Sequence, residues 1–239
     1  MFNLLLAEHV FRVHCRYPFT EKLCRDYRTD LPFEAEISVS AEDIAREDVS
    51  QDENGGGKFA GDYLESLAVY RKICESLLDH DILLFHCSAL AVGGRAYLFA
   101  APSGTGKSTH TRLWRERFGE KVAMINDDKP LLKVTEEKVT VYGTPYGGKD
   151  GIQTNTSAEV GGIVLLHRAA ENTIAPIGGD EAFPALLNQT YRRNDPAGME
   201  KTLDLVWRLT KLPIFSLGCT ISAEAAEVAY AALTKAGNT

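Results

Sequence analysis

Hydrophobic and polar residues alternate over much of the first 40 residues, as expected of short, half-buried strands of a peripheral sheet. The alternation covers Phe2, Leu4 and Leu6 and returns at residues 33–39. A polar, glycine-rich stretch, SQDENGGGK at residues 50–58, is typical of a mobile loop or linker. We therefore predict a small, mainly β N-terminal region at residues 1–58 and a larger core at residues 59–239.

The apolar spacing changes at residue 61, where intervals of three and four residues predict an amphipathic helix up to residue 78. Apolar runs on both sides of the Gly93-Gly94 pair predict two strands joined by a tight turn. The second run leads directly into a glycine-rich loop, which favours an α/β fold with a mixed sheet. Further strands are predicted at residues 122–126, 160–168 and 213–219, a hairpin at 131–143, and helices at 108–118, 181–189, 198–211 and 223–235.

Composition and charge limit the classes of function. With 239 residues, of which 44% are hydrophobic and 25% charged, the chain is typical of a globular protein. The net charge of −7 argues against non-specific binding to nucleic acid or to an anionic membrane. Neither a signal peptide nor an apolar stretch of membrane-spanning length is evident. Five cysteines without metal-ligand spacing indicate reduced thiols. We therefore expect a cytoplasmic protein. The cysteines are Cys15, Cys24, Cys74, Cys87 and Cys219.

The strongest motif is APSGTGKS at residues 101–108, which fits the Walker A pattern of a P-loop with alanine at the first position. Its glycines would let backbone N–H groups converge on phosphate oxygens at the N-terminus of the following helix. Lys107 would then contact the β- and γ-phosphates, and the Ser108 hydroxyl would ligate magnesium. We therefore predict ATP with Mg²⁺ or Mn²⁺ as ligands. The nucleotide-binding candidates are Ser103, Gly104, Thr105, Gly106, Lys107, Ser108 and Thr109.

Two further features carry candidate chemistry. Asp127 and Asp128 end an apolar strand about twenty residues beyond the loop, where one carboxylate can reach a metal ion and its neighbour can accept a proton. His86 lies in the apolar run that pairs with the loop strand through the Gly93-Gly94 turn, which would bring it near the γ-phosphate or the metal. A histidine in such a run is otherwise a core residue, and an Asp-Asp pair is otherwise a solvated turn. His110 and Trp114 of the loop helix are expected to serve packing.

In combination, HCSAL, APSGTGKST and NDD resemble the HPr kinase/phosphorylase and ATP-dependent phosphoenolpyruvate carboxykinase superfamily over residues 83 to about 149. The resemblance implies that superfamily's P-loop core. In carboxykinases the matching histidine and first aspartate bind the divalent metal, which implies metal roles for His86 and Asp127. In HPr kinases the matching histidine and aspartates assist deprotonation of an acceptor serine. Lys129 stands where carboxykinases have an acidic residue, and the chain is less than half their length, so decarboxylation is not expected.

The chain also resembles the short HPr-kinase-like proteins of bacterial peptide-modification systems, which share a GTPxxGK-type stretch seen here at residues 143–151. Lys149 of that stretch would approach a transferring phosphoryl group or an acidic substrate, unless the stretch is only a flexible hairpin loop. Arg168, Arg192 and Arg193 are candidates for stabilising charge on the γ-phosphate.

These features predict an ATP-dependent kinase that transfers the γ-phosphate to a hydroxyl, either a serine of a peptide or protein or an alcohol of a small molecule. His86, Lys107, Asp127 and Asp128 are its candidate catalytic residues. A kinase/phosphorylase with the same site, and a nucleotide-sensing module that binds ATP without transfer, are the alternatives. Homo-oligomer formation and the identity of the acceptor stay open.

Overall fold

The computed structural model describes residues 1–53 and 59–236, with side chains for residues 1–48 and 59–235. The chain divides into two compact units, Met1–His80 and Asp81–Thr239. The sequence analysis placed the division after residue 58, whereas the structure includes the helix Gly61–Leu77 in the first unit. Of the predicted loop, residues 50–53 are helical, and residues 54–58 lie outside the described residues.

The first unit combines a small sheet with helices. Strand β2 pairs with β1 in antiparallel and with β3 in parallel orientation. The expected strands are therefore present. The unit is not mainly β, however, because its helices contain more residues than its strands do. Its elements are β1 Phe2–Leu6, β2 His9–His14, α1 Pro18–Leu23, β3 Ala35–Ser38, α2 Ala41–Glu53 and α3 Gly61–Leu77, with short 3₁₀ turns at Arg25–Tyr27 and Leu78–His80.

Charged residues join α2 to α3. The guanidinium of Arg71 in α3 pairs with Glu47 at 2.5 Å and with Asp43 at 3.3 Å, both in α2. The Arg71 side chain is only 9% exposed, so these ion pairs are largely shielded from water. Helix α2 contains few apolar residues, which explains why apolar periodicity does not reveal it.

The second unit contains a mixed sheet of nine strands within the described part of the chain. Its main path runs β4-β8-β9-β10-β6-β5-β7, and β12 joins β10 to β11. The predicted mixed sheet, hairpin and helices are confirmed. The elements are β4 Ile82–Leu84, β5 Cys87–Val92, β6 Arg95–Ala100, α4 Lys107–Phe118, β7 Val122–Asn126, β8 Leu131–Val134, β9 Val139–Tyr142, β10 Ser157–Arg168, β11 Thr173–Pro176, α5 Gly179–Asn188, α6 Pro196–Leu209, β12 Ile214–Cys219 and α7 Ala223–Ala236.

Helix α4 is anchored to the sheet through Trp114, which is fully buried in a core that also includes residues of β5, β6, β10 and α7. The Trp114 indole N–H donates to Nε2 of His110 at 2.9 Å. Burial lowers the pKa of His110 to about 4, so this imidazole is neutral at physiological pH. The expectation that both residues serve packing is confirmed.

The strands next to α4 place the candidate residues at one end of the sheet. The Gly93-Gly94 turn, with positive φ at both glycines, connects β5 to β6 in antiparallel register, with Cys87 opposite Ala100. One expectation needs correction, because residues 81–92 form two strands and His86 lies in the gap between them. No helix among the described residues is long and apolar enough to cross a lipid bilayer.

Candidate functional site

A cavity of about 420 Å³ lies where β6 enters the glycine loop, residues 101–106, and where β7 ends. Most of the predicted nucleotide-binding and catalytic residues line it, whereas Thr105 does not. The lining residues are His86, Ser103, Gly104, Gly106, Lys107, Ser108, Thr109, Asp127, Asp128, Gly148, Lys149 and Asp150.

The glycine loop has the backbone conformation for which its glycines were singled out. Gly104 and Gly106 have φ angles of 76° and 123°, a region that other residues rarely adopt. Helix α4 begins directly after Gly106, so its first backbone N–H groups are at the cavity wall. A loop of this shape at a helix N-terminus is suited to an anionic ligand.

Lys107 is the cation of the loop. Its side chain is 8% exposed, and Nζ donates to the carbonyl oxygen of Ala101 at 2.9 Å. Burial lowers the pKa of this ammonium group, since a buried charge loses hydration. A phosphate in the cavity would therefore compete with a neutral carbonyl for a poorly hydrated cation.

Asp127 lies against helix α4. Its side chain is 5% exposed, and the Thr111 hydroxyl donates to Oδ1 at 3.3 Å. The hydroxyl of Ser88 in β5 donates to the Asp127 backbone carbonyl at 3.4 Å. The carboxylate is thus held by the same helix that carries Lys107 and Ser108.

Asp128 faces His86 and Lys129 instead. His86 Nε2 lies 3.3 Å from Asp128 Oδ1, and the Lys129 ammonium contacts Oδ2. Burial alone would raise the pKa of Asp128, but the hydrogen bond from His86 and the charge of Lys129 outweigh burial and lower it to about 2. Asp128 is therefore an anion throughout the physiological pH range.

Asn126 organises the turn that carries both aspartates, and motif reasoning missed it. This fully buried side chain accepts from the backbone N–H groups of Asp128 and Lys129, each at 2.9 Å. Its amide nitrogen donates to the carbonyl and the hydroxyl of Thr144, each at 3.1 Å. An asparagine directly before two aspartates is a signal for such a turn, because its side chain bonds the backbone two residues on.

The GTPYGGKDG stretch is tied to the aspartate turn through these bonds and two more. The Lys129 N–H donates to the Tyr146 carbonyl at 3.2 Å, and the Thr144 hydroxyl donates to the Lys129 carbonyl at 2.8 Å. Gly148 has a φ of 79°, and a Cβ there would lie 3.3 Å from the Asp128 Cβ. Lys149 and Asp150, both exposed, line the cavity next to it. The structure therefore brings Lys149 to the site, while its predicted role stays a prediction.

The three arginine candidates are placed differently. Arg168, at the end of β10, donates to the Gly104 carbonyl at 2.7 Å and to the Thr105 carbonyl at 3.4 Å. It therefore stabilises the glycine loop through the loop's carbonyl oxygens. Arg192 donates to the Leu187 carbonyl, and Arg193 pairs with Asp195 at 2.6 Å. None of the three arginines lines the cavity. Their predicted contacts with the γ-phosphate stay predictions.

The residues present fit magnesium as part of a nucleotide complex. Asp127 and Ser108 supply a carboxylate and a hydroxyl oxygen, the hard ligands that Mg²⁺ prefers. The described residues contain no cluster of three or more His, Cys, Asp or Glu arranged to hold a metal ion.

Comparison with known proteins gives a distant structural likeness. No protein-family model and no curated protein matches the chain. Among solved structures, the Hpr(Ser) kinase/phosphatase from Coxiella burnetii is similar to it, with 11% sequence identity and a TM-score of 0.38. The match covers 64% of this chain and 91% of that chain. A likeness this distant supports no conclusion about the site, so the proposals below depend on the cavity itself.

Proposed function

We propose that the chain is an ATP-dependent kinase that transfers the γ-phosphate to an alcohol. One observation supports this above all. The glycine loop with Lys107, the buried Asp127 and the ionised Asp128 with His86 all face a single cavity. Phosphate binding alone would need only the loop and a metal ligand, whereas the second carboxylate gives the cavity a proton acceptor.

The loop and α4 would hold the phosphates of ATP. Backbone N–H groups of residues 103–108 and the positive end of the α4 dipole favour phosphate oxygens. Lys107 would release the Ala101 carbonyl and contact the β- and γ-phosphates, where its charge offsets the charge that develops during transfer. The Gly104 and Thr105 carbonyls would stay turned toward Arg168, away from the phosphates.

Ser108 and Asp127 would hold magnesium together with the phosphates. The ion, when bound, neutralises phosphate charge and fixes the orientation of the γ-phosphate. The bond from Thr111 keeps the Asp127 carboxylate on the α4 side of the cavity. Asp127 would thus bind the metal ion, whereas Asp128 would remain free of it.

Asp128 would accept the proton of the acceptor hydroxyl. The acceptor oxygen forms a bond to the γ-phosphorus, the bond from that phosphorus to the β,γ-bridging oxygen breaks, ADP leaves, and the hydroxyl proton passes to Asp128. A carboxylate with a pKa of about 2 is a weak base. Weak basicity is sufficient here because phosphoryl transfer has a loose transition state in which the hydroxyl loses its proton late.

The acceptor would enter beside Gly148, Lys149 and Asp150, the exposed part of the cavity lining. A seryl side chain of a peptide or protein, or a small alcohol, could reach Asp128 from there. The opposite charges of the exposed Lys149 and Asp150 suit a polar acceptor better than an apolar one.

The test is transfer of labelled γ-phosphate from Mg-ATP to free serine, serine-containing peptides and carrier proteins. We expect at least one acceptor to be labelled by the wild-type protein. Substitution Asp128→Asn keeps the shape of the side chain and removes the charge, so labelling should fall by about 100-fold or more.

ATP binding without label in any acceptor would contradict the kinase proposal and favour a nucleotide sensor. Equal labelling by the wild-type protein and Asp128→Asn would contradict the role of Asp128. Absence of ATP binding would contradict both the kinase and the sensor.

A further inference from the structure

Gln189 follows helix α5 and lies beside His86. The segment after α5 runs antiparallel to residues 84–86, so that the His86 N–H donates to the Gln189 carbonyl at 2.7 Å and the Tyr191 N–H donates to the Leu84 carbonyl at 3.0 Å. Phe85 and Thr190 form a β-bridge between these two bonds. The gap between β4 and β5 is thus closed by the segment that contains Gln189.

Three acceptors surround the side-chain amide of Gln189. The two backbone carbonyls fix its orientation: its nitrogen lies 3.0 Å from the Ala101 oxygen, 3.1 Å from the His86 oxygen and 3.3 Å from His86 Nδ1, so its two N–H groups are shared among these three atoms. The opposite orientation would place the amide oxygen against these acceptors. The network therefore fixes the amide with its nitrogen toward His86.

This orientation determines which ring nitrogen of His86 carries the proton. Because the amide nitrogen and not the amide oxygen faces Nδ1, a proton on Nδ1 would have no acceptor there. The neutral imidazole therefore has its proton on Nε2, which lies 3.3 Å from Asp128 Oδ1. Nε2 is then a hydrogen-bond donor to the Asp128 carboxylate. Each ring nitrogen of His86 has a protein partner.

We infer that Gln189 is a positioning residue that holds His86 as the Nε2–H tautomer, so that His86 orients the Asp128 carboxylate and is not a metal ligand. The role of Asp128 in transfer rests on the proposed function, whereas the tautomer does not. A metal ligand needs a free lone pair on a ring nitrogen, and Gln189 occupies the one on Nδ1. The metal role that sequence resemblance implies for His86 is therefore replaced by a role in orienting the proton acceptor.

Gln189 also bonds the carbonyl to which Lys107 donates. Ala101 O accepts from Lys107 Nζ at 2.9 Å and from the Gln189 amide at 3.0 Å. When Lys107 turns to a phosphate, Ala101 O keeps one partner. The Gln189 amide therefore contacts both His86 and the carbonyl oxygen that Lys107 bonds.

The direct test is the tautomer of His86 in the metal-free and nucleotide-free protein, read from the ring nitrogen resonances of isotope-labelled histidine. The chain has six histidines, and a His86→Gln variant identifies the resonances of His86. We expect an Nε2–H tautomer whose Nδ1 accepts a hydrogen bond. An Nδ1–H tautomer would overturn the inference.

A second test replaces the donor. Gln189→Met keeps the length of the side chain and removes the amide, so the His86 Nδ1 resonance should move toward that of an imidazole nitrogen without a hydrogen bond. The rate constant for phosphate transfer should fall by roughly 10-fold, the lower end of the effect of such orienting partners. Asn188→Met, on the neighbouring exposed side chain, is the matched control and should change neither quantity. An unchanged Nδ1 resonance in Gln189→Met would refute the hydrogen bond.

The two proposals fail separately. An Nε2–H tautomer without phosphate transfer to any acceptor would refute the kinase and keep the Gln189 contact. Phosphate transfer by a protein whose His86 is the Nδ1–H tautomer would keep the kinase and refute the Gln189 contact.

Discussion

At the scale of single residues, the cavity holds a cation and an anion whose pKa values are both lowered. Burial lowers the pKa of Lys107, while His86 and Lys129 overcome burial and lower that of Asp128. The two shifts differ in meaning. The charged form of Lys107 is less stable than that of a solvated lysine, so a phosphate would stabilise it. The charged form of Asp128 is already stabilised by His86 and Lys129.

Removing the Lys107 charge should abolish most ATP binding. For Lys107→Met we expect the affinity for Mg-ATP to fall by about 100-fold or more, since a charged contact in a shielded site is lost. Isothermal titration measures this. Lys121→Met, an exposed lysine outside the cavity, is the control and should bind like the wild-type protein. Equal affinity of Lys107→Met and the wild-type protein would contradict the phosphate role of Lys107.

Asp128 should also contribute to stability in a pH-dependent way. Its folded pKa of about 2 lies below the ordinary value of 3.8, so its contribution is fully present above pH 3.8 and is lost as the pH falls toward 2. The shift corresponds to at most about 2 kcal/mol. Asp128→Asn should therefore be less stable than the wild-type protein at pH 7, and the difference should shrink in acid. Urea unfolding at several pH values measures it, and a difference that grows on acidification would contradict the ion pairing.

Sequence reasoning at this scale found the residues with chemistry of their own and missed those that hold them. Lys107, Asp127 and Asp128 stand in recognisable patterns. Asn126 stands in the same motif as the aspartates and Gln189 in none, but the role of each depends on a partner far along the chain, at Thr144 and His86. Arg168 was singled out for its charge, but its partners are loop carbonyls that charge alone does not predict.

At the scale of elements, the loop at residues 143–151 and the aspartate turn hold each other in place. The bonds of Asn126 to Thr144 and the close approach of Gly148 to Asp128 couple the two segments. The position of Asp128 therefore depends on a glycine of a different element.

A methyl group at Gly148 should displace Asp128. Gly148→Ala adds a Cβ 3.3 Å from the Asp128 Cβ, and we expect the rate constant for phosphate transfer to fall by roughly 10-fold, since small displacements of catalytic groups are costly. Gly151→Ala is a matched control, because Gly151 also has positive φ but no atom within 4 Å of an added Cβ. Backbone strain should affect both variants alike, and only Gly148→Ala should slow transfer. Equal rates in a transfer assay would contradict the coupling.

Helix α2 shows a limit of apolar periodicity. Arg71 of α3 pairs with Glu47 and Asp43 of α2. Helix α2 has few apolar residues, so its apolar stripe is weak, and the sequence analysis predicted no helix there. Helix α3, with its apolar residues at regular intervals, was predicted nearly to its ends. Ion pairs between elements have no such periodicity, which is why they escape this kind of prediction.

Loss of Arg71 should destabilise the first unit. Arg71→Met leaves Glu47 shielded from water without its cation and leaves Asp43 paired with Lys72 alone, at a cost of about 3 kcal/mol in the free energy of unfolding. Arg46→Met, an exposed arginine of α2, should change stability by less than about 0.5 kcal/mol. Urea unfolding followed by circular dichroism compares them. Equal stability of the two variants would contradict a structural role for the Arg71 ion pairs.

At the scale of the whole molecule, the candidate site belongs entirely to the unit Asp81–Thr239. The glycine loop follows β6 and the aspartate turn follows β7, and both strands flank β5 in the sheet, so the order of strands places the loop and the turn on either side of β5. The sequence predicted this unit well because its loops carry motifs and its strands are apolar. The edge strand β11 was not predicted, as its four residues are mostly exposed and it ends in proline.

The central claim is that this cavity transfers the γ-phosphate of Mg-ATP to a hydroxyl with Asp128 as proton acceptor. The most direct measurement compares the wild-type protein with Asp128→Asn in single-turnover transfer to the labelled acceptor, with ATP affinity measured in parallel. The account predicts a rate constant at least about 100-fold lower in the variant, with ATP affinity within about threefold of the wild-type value. Transfer at the wild-type rate by Asp128→Asn, or ATP binding without transfer by the wild-type protein, would contradict it.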